Sequence, residues 1–103
     1  MLRYLTAALM AVAIPGVASA TTECTSQVSR IWAGDGGYVW VFFSAGGAAA
    51  INPNDPSKKA ALALATTAMA TGRTVTVRYS GNGVICTATN FDFVGLYLDA
   101  PNP

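Results

Sequence analysis

The sequence contains no histidine. A Ser-His-Asp or Cys-His catalytic arrangement is therefore impossible, and zinc would need more cysteines or a carboxylate cluster. The five acidic residues are scattered along the chain. Asp35 and Asp92 could still meet in space as a glycosidase pair, although aspartates in short turns more often serve a structural purpose. We expect a protein that is not an enzyme and that carries no metal and no cofactor.

Charge is also scarce. Six Lys and Arg residues face five Asp and Glu residues, and one of the six, Arg3, lies in the N-terminal segment described next. Without Arg3 the formal net charge is zero. A neutral chain offers no electrostatic basis for binding nucleic acid or an anionic membrane, and it does little to discourage self-association.

Long apolar runs are absent after the N-terminus. Arg3 supplies a positive start, Leu5 to Ile14 an apolar stretch, and Ala18 to Ala20 a small-residue cleavage pattern. The stretch is shorter than the roughly 20 residues that a transmembrane helix needs. We therefore predict a signal peptide at 1–20, cleavage before Thr21, and one small domain at 21–103 that is secreted or periplasmic.

Only two cysteines are present, Cys24 and Cys86. In an exported chain this pair predicts one disulfide, which closes a loop of roughly 60 residues and stabilises the fold by about 4 kcal/mol in the chain-entropy model. A redox or metal-binding pair is the alternative. The missing CxxC spacing and the missing histidine both count against it.

One helix with both ends marked is predicted within Asn54 to Tyr79. Asn54 or Asp55 can cap it, Pro56 suits the first helical position, and Gly72 suits the left-handed closing position. The apolar residues between these ends recur at helical spacing. They are Ala61, Leu62, Leu64, Ala65, Ala68 and Met69.

The remaining sequence is typical of short β-strands. A bulge is expected in the first strand, where the alternation is ambiguous, and Gly95 indicates either a second bulge or a close approach of the backbone. With the helix between two sets of strands, the pattern predicts a mainly β (α+β) fold, a small curled barrel of five strands. The predicted strands are Thr25–Ala33, Tyr38–Ser44, Arg73–Tyr79, Val84–Ala88 and Phe93–Asp99, and Ala48–Ile51 can add a short one.

The strand Tyr38–Ser44 is apolar on both faces. Such a strand is buried on both sides, or it presents one face to a partner. By alternation, one face carries Tyr38, Trp40 and Phe42, and the other carries Val39, Val41 and Phe43.

A family resemblance accompanies these patterns. The segment NPNDPSKKAALALATTAMATGRTVTVRYSG, followed by a cysteine and then VGLYL, resembles small exported bacterial OB-fold proteins related to the B subunit of subtilase cytotoxin. The likeness covers roughly Asn52 to Leu98. It implies a five-stranded OB-like barrel, carbohydrate binding, a homo-oligomeric ring (a pentamer) and a catalytic partner subunit. The loop AGGAAAINP before the helix lacks the cysteine that is usual in that family.

Two functions from different classes follow. The first is a non-catalytic module that binds glycans, because sugar faces stack on aromatic rings. Its candidate ligand-binding residues are Trp32, Tyr38, Trp40 and Arg78, although aromatics of a small domain more often form its core. The alternative is a secreted or periplasmic accessory or inhibitor protein, in which Tyr38–Ser44 or Phe93–Asp99 adds to a partner's sheet.

Overall fold

The computed structural model describes residues 21–101. The predicted signal peptide at 1–20 lies outside the described residues. Within the described range the fold is mainly β with one helix between two sets of strands, as predicted, and each set has three strands. The strands are β1 (Thr22–Ala33), β2 (Val39–Phe43), β3 (Ala48–Ile51), β4 (Thr74–Tyr79), β5 (Thr89–Asn90) and β6 (Phe93–Leu98), and α1 spans Lys58–Thr71.

All six strands belong to one sheet, which curls into a half-barrel in the order β5-β3-β2-β1-β4-β6. The long strand β1 joins its two halves. The stretch Thr22 to Gln27 pairs with β4, whereas Val28 to Ala33 pairs with β2. Every pairing is antiparallel except that of β3 with β5. The strand β6 therefore forms one edge of the sheet and β5 the other.

A bulge in β1 separates these two halves and confirms the expected irregularity. The register steps from Val28 to Arg30 opposite consecutive residues of β2, which leaves Ser29 as the extra residue. Val28 and Ile31 consequently face the helix, whereas Arg30 and Trp32 face the opposite side. A bulge also strengthens the local twist, which suits a strand at the bend of a half-barrel.

The hydrophobic core lies between the inner face of the sheet and α1. The helix presents Ala61, Ala65 and Ala68, all buried, so small side chains let it lie close to the strands. Tyr79 is the largest fully buried side chain. The buried residues that the sheet contributes are Cys24, Val28, Val39, Val41, Phe43, Ala49, Ile51, Val75, Val77 and Tyr79.

The helix α1 ends at the predicted Gly72, but it begins later than predicted, at Lys58 with Ser57 in the N-cap position, so Pro56 is not its first residue. The carboxylate of Asp55 accepts hydrogen bonds from the backbone N–H and the hydroxyl of Ser57, at 2.9 and 2.7 Å. Pro56 lies in this leading turn, just before the first helical residue, Lys58. At the other end Gly72 adopts the left-handed conformation, with φ of 70°, and donates to the carbonyl of Ala68.

The strand predicted at Val84–Ala88 is wrong. This segment is a loop, and the next residues, Thr89–Asn90, form the strand instead and pair in parallel with β3. Because Ala48–Ile51 does form the additional short strand, β3, the sheet has six strands instead of five. The loop runs tightly against Gly47. A Cβ atom at Gly47 would lie 2.5 Å from the Cys86 carbonyl oxygen and 2.7 Å from that of Ala88. The loop is thus held by close backbone packing instead of a ladder of strand hydrogen bonds.

The face of β6 is also corrected. Alternation along this strand predicts that Val94, Leu96 and Leu98 share one face. Leu96 and Leu98 pack against the core, but Val94 is exposed. A register shift near Gly95 is the cause, since it places Phe93 at the next inward position. Of the two predictions for Gly95, the bulge is therefore the one that the structure confirms, and its effect is to turn Val94 outward. A close backbone approach is absent, since a Cβ atom at Gly95 would meet nothing within 4 Å among the described residues.

The predicted disulfide is present. Cys24 on β1 is bonded to Cys86 in the loop before β5, with a Cα–Cα distance of 5.7 Å. A disulfide indicates an oxidising, non-cytoplasmic environment. Within residues 21–101 no helix has the length and apolarity required to cross a membrane.

Candidate functional site

An aromatic concavity lies on the outer face of the sheet, opposite the core. Its volume is about 300 Å³. The side chains that line the aromatic concavity are Arg30, Trp32, Trp40 and Phe42.

The local sequence explains why these four residues meet. Trp40 and Phe42 alternate with buried residues of β2, so both point outward. The bulge in β1 brings Arg30 and Trp32 to the same side. Arg30 then pairs with Phe42 and Trp32 with Trp40 across neighbouring strands, which is the arrangement in which side chains interact most strongly in a sheet.

The aromatic rings meet mostly edge to face. Trp32 and Trp40 have ring centroids 6.5 Å apart and planes at 82°. Trp40 also contacts two phenylalanines. Its ring centroid lies 5.7 Å from that of Phe91, with the planes at 89°, and 6.1 Å from that of Phe42, with the planes at 34°. Edge-to-face contacts of this kind contribute about 0.5–1.5 kcal/mol each beyond the buried area. The rings are therefore held in defined orientations relative to one another.

Gly34 holds the ring of Trp32 in place. A Cβ atom at this position would lie only 2.8 Å from Cη2 and 2.9 Å from Cε2 of the indole. The benzene ring of Trp32 thus rests directly on the backbone of Gly34. With this support the side chain stays 43% exposed and presents a surface to solvent.

Arg30 is the one charged residue of the concavity. Its guanidinium carbon lies 4.7 Å from the centroid of the Phe42 ring. The ion pair found within residues 21–101 joins two other residues, Arg78 and Glu23. Arg30 therefore brings a positive charge to the site with no carboxylate beside it among the described residues.

The other half of the outer face is polar. Arg78 on β4 donates to Glu23 at 2.8 Å and to the hydroxyl of Tyr97 at 3.1 Å. The hydrogen bond to Glu23 raises the pKa of Arg78 above its ordinary value. Arg78 is thus already engaged by its neighbours on β1 and β6. Close by, Thr74 and Thr76 each donate to the carboxylate of Asp99 at 2.9 Å.

The structure separates the four residues that the sequence suggested for ligand binding. Trp32 and Trp40 meet in the concavity, and Tyr38 lies half-buried just before β2, outside the lining. Arg78 lies in the polar half. Arg30 and Phe42 complete the site although sequence reasoning did not select them. The only available signal was the ambiguous alternation of Thr25–Ala33, which the bulge resolves by turning Arg30 outward.

These groups provide the chemistry of binding. The rings offer stacking surfaces, and Arg30 offers a cationic hydrogen-bond donor.

Asp92, considered above as one member of a carboxylate pair, accepts a hydrogen bond from the backbone N–H of Gly81 at 3.0 Å. In the described part of the chain no three His, Cys, Asp or Glu residues are grouped so that they could hold a metal ion.

Comparison with known proteins does not add to this description. The chain matches no protein-family model, no curated protein and no solved structure. The function is therefore argued below from the residues of the concavity themselves.

Proposed function

We propose that the protein is an exported, non-catalytic binding module that recognises a glycan in the aromatic concavity. The observation that carries this proposal is the outward-facing set of Trp32, Trp40 and Phe42 beside Arg30. The apolar faces of sugars stack on indole rings. An arginine provides hydrogen-bond donors for ring and exocyclic oxygens.

The position of the core supports this proposal over a purely structural role for the aromatics. The core lies on the other face of the sheet, where α1 covers Val39, Val41 and Phe43. Trp32 remains 43% exposed and Phe91 62% exposed. Side chains needed only for packing would be covered, so these two rings are better explained by contact with a ligand.

The proposal includes what the family resemblance implies. The half-barrel would be an OB-like domain of the toxin B-subunit type, assembled as a homo-oligomeric ring of five copies that carries a catalytic partner subunit. Light scattering after size exclusion tests this part directly. A native mass near five copies supports the ring, and a monomer overturns it while leaving the binding site untouched.

The glycan site is tested by a glycan array followed by a fluorescence titration of the tryptophans. The variant Trp32→Ala should weaken binding at least about tenfold, as expected for loss of a stacking ring at the centre of a site. Met69→Ala is a matched control, because Met69 on α1 is also 43% exposed but belongs to the helix. The proposal fails if three results occur together: no glycan binds, no glycan changes the tryptophan fluorescence, and acrylamide does not quench the tryptophans.

A second function is favoured by a separate feature, the edge strand β6. It ends the sheet and exposes Val94 to 46% and Tyr97 to 49%. A partner's strand could pair with its free backbone groups, as expected for an accessory or inhibitor protein. A stoichiometric partner recovered from the producing cell by wild type, but not by Val94→Lys, would favour this function. Recovery of the protein alone counts against it.

A further inference from the structure

The aromatic concavity has two walls that meet at nearly a right angle. The planes of Trp32 and Trp40 are inclined by 82°, with centroids 6.5 Å apart. A flat sugar face uses one such plane, whereas the second plane is suited to a rounded group that touches both. Quaternary ammonium groups are bound in this way, against several aromatic faces at once.

Arg30 places a positive charge beside the aromatic rings, and this charge would repel a ligand that carries only a positive charge. Its guanidinium lies against Phe42, and among residues 21–101 it forms no ion pair. An isolated quaternary ammonium would be repelled by this charge. A phosphate, in contrast, is the group that a guanidinium binds best, because its planar fork matches two phosphate oxygens.

The aromatic corner of Trp32 and Trp40 and the charge of Arg30 are close enough for one small ligand to contact both. Arg30 and Trp32 face the same side of β1 and are two residues apart, which separates their Cα atoms by roughly 7 Å. A ligand that spans them needs an anionic group joined to a cationic one by a short linker. A volume of about 300 Å³ accommodates a ligand of this size.

We propose that the group recognised in the aromatic concavity is a phosphocholine substituent. Its trimethylammonium packs in the corner of Trp32 and Trp40, and its phosphate accepts hydrogen bonds from Arg30. This inference rests on the proposed function, since the phosphocholine is carried by a glycan. It names the substituent that the site selects.

The test is a calorimetric titration of the oxidised protein with phosphocholine, choline and phosphoethanolamine. Phosphocholine should bind at least about tenfold more tightly than either of the others, because choline lacks the anion and phosphoethanolamine lacks the methyl groups. Tryptophan fluorescence should change in the same titration. Equal affinity for all three compounds would overturn the proposal.

Three variants assign the two halves of the ligand to their residues. Arg30→Gln should weaken phosphocholine about tenfold and leave choline unchanged or slightly tighter, because a repelling charge is removed. Trp32→Ala should weaken both. Arg78→Gln is the matched control, since Arg78 is also an outer-face arginine beside an aromatic ring, 5.9 Å from Tyr97, and its loss should change neither affinity.

Two further outcomes separate this inference from the function on which it rests. Binding of glycans without phosphocholine, and none of phosphocholine itself, overturns the inference and leaves the proposed function standing. Absence of binding in the array and in all titrations overturns both. If the protein sediments with phosphatidylcholine vesicles but does not bind free phosphocholine, the phosphocholine inference is also overturned. The aromatic concavity would then contact a membrane surface.

Discussion

Gly34 shows how one missing side chain positions a functional one. The indole of Trp32 rests on its backbone, where a Cβ atom would lie within 2.9 Å of the ring. Contacts under 3.0 Å force a rearrangement, and the ring is the part that can move. The orientation of Trp32 therefore depends on a residue that has no side chain to contribute.

The variant Gly34→Ala should displace the ring of Trp32. Two coupled tryptophans give a characteristic circular dichroism signal that depends on their mutual angle, so this signal should change. Acrylamide quenching should rise as the ring loses its support. Gly95→Ala is the control, because a Cβ atom there meets nothing within 4 Å. Unchanged dichroism and quenching in Gly34→Ala would show that Gly34 does not position the ring.

Tyr79 is a second residue whose surroundings lead to a prediction, because its hydroxyl group is buried. Its side chain is fully buried, and its hydroxyl lacks a hydrogen-bond partner within the described residues. An unpaired buried hydroxyl costs about 1–3 kcal/mol. Tyr79→Phe should therefore leave the free energy of unfolding unchanged or raise it, as measured by urea denaturation. A loss above about 1 kcal/mol would mean that the hydroxyl does have a partner, such as a buried water.

Tyr79 also makes a prediction about pH. Burial raises the pKa of Tyr79 to about 12, and the charge of Asp92 acts in the same direction. A tyrosine in the unfolded chain titrates near pH 10, so above that pH the unfolded state loses its proton first. The stabilising contribution is complete below pH 10 and is lost as the pH rises towards 12.

At pH 11 the wild type should lose roughly 1 kcal/mol more stability than Tyr79→Phe, relative to pH 8. Urea denaturation of both proteins at the two values measures this difference, and the comparison cancels the titration of the other tyrosines and lysines. Parallel changes in the two proteins would show that Tyr79 ionises equally easily in the folded and unfolded states.

At the scale of elements, β3 and the loop before β5 depend on the absence of a side chain at Gly47. This residue has a φ of 83°, and a Cβ atom would meet the carbonyl oxygens of Cys86 and Ala88. Both neighbours are backbone atoms of a loop tied down by the disulfide. They cannot move aside as a flexible side chain would.

Gly47→Ala should therefore destabilise the protein by at least about 3 kcal/mol, combining backbone strain with the steric conflict. Gly83→Ala isolates the first contribution, because Gly83 has a φ of 75° and nothing within 4 Å of its Cβ position. It should cost only about 1 kcal/mol. Chemical denaturation of the two variants gives the difference. Equal losses would exclude a steric conflict at Gly47.

At the scale of the molecule, the disulfide joins the centre of the sheet to its most irregular segment. Cys24 and Cys86 are 62 residues apart in sequence, so the bond restricts most of the unfolded chain. The double variant Cys24→Ala and Cys86→Ala should lose about 4 kcal/mol of stability. For a domain of this size the melting temperature should fall by roughly 15 °C or more.

The same melt under reducing conditions provides the control. Reduction should lower the melting temperature of the wild type and leave that of the double variant unchanged. Two free thiols in the purified, oxidised wild type would contradict the bond itself. Equal melting temperatures for wild type and double variant would show that its contribution is negligible.

Some features of this fold could be predicted because their causes are local. Asp55 holds the turn that leads into the helix, and Gly72 ends the helix, through local hydrogen bonds and backbone angles. The alternation of β4 places Val75 and Val77 in the core by period alone. The disulfide also followed from the sequence, since a chain with only Cys24 and Cys86 has one possible intramolecular pair.

Other features could not be predicted because their causes are distant in sequence. The segment Val84–Ala88 has the composition of a strand, but its backbone is packed against Gly47, about forty residues earlier, and becomes a loop. Trp40 was a candidate for the site from its own strand. Its contact with Phe91, which approaches from the far side of β3, depends on the parallel pairing of β5.

The sequence by itself determined the class of the fold, the C-terminal end of the helix, the disulfide pair and the two-sided apolar character of β2. Each depends on residue types and spacings within a few positions, or on a pair with no competitor. Only the tertiary structure decided which aromatics form a site. The bulge at Ser29 turns Arg30 and Trp32 to the outer face, and bulges are set by pairing between strands, which no single stretch of sequence contains.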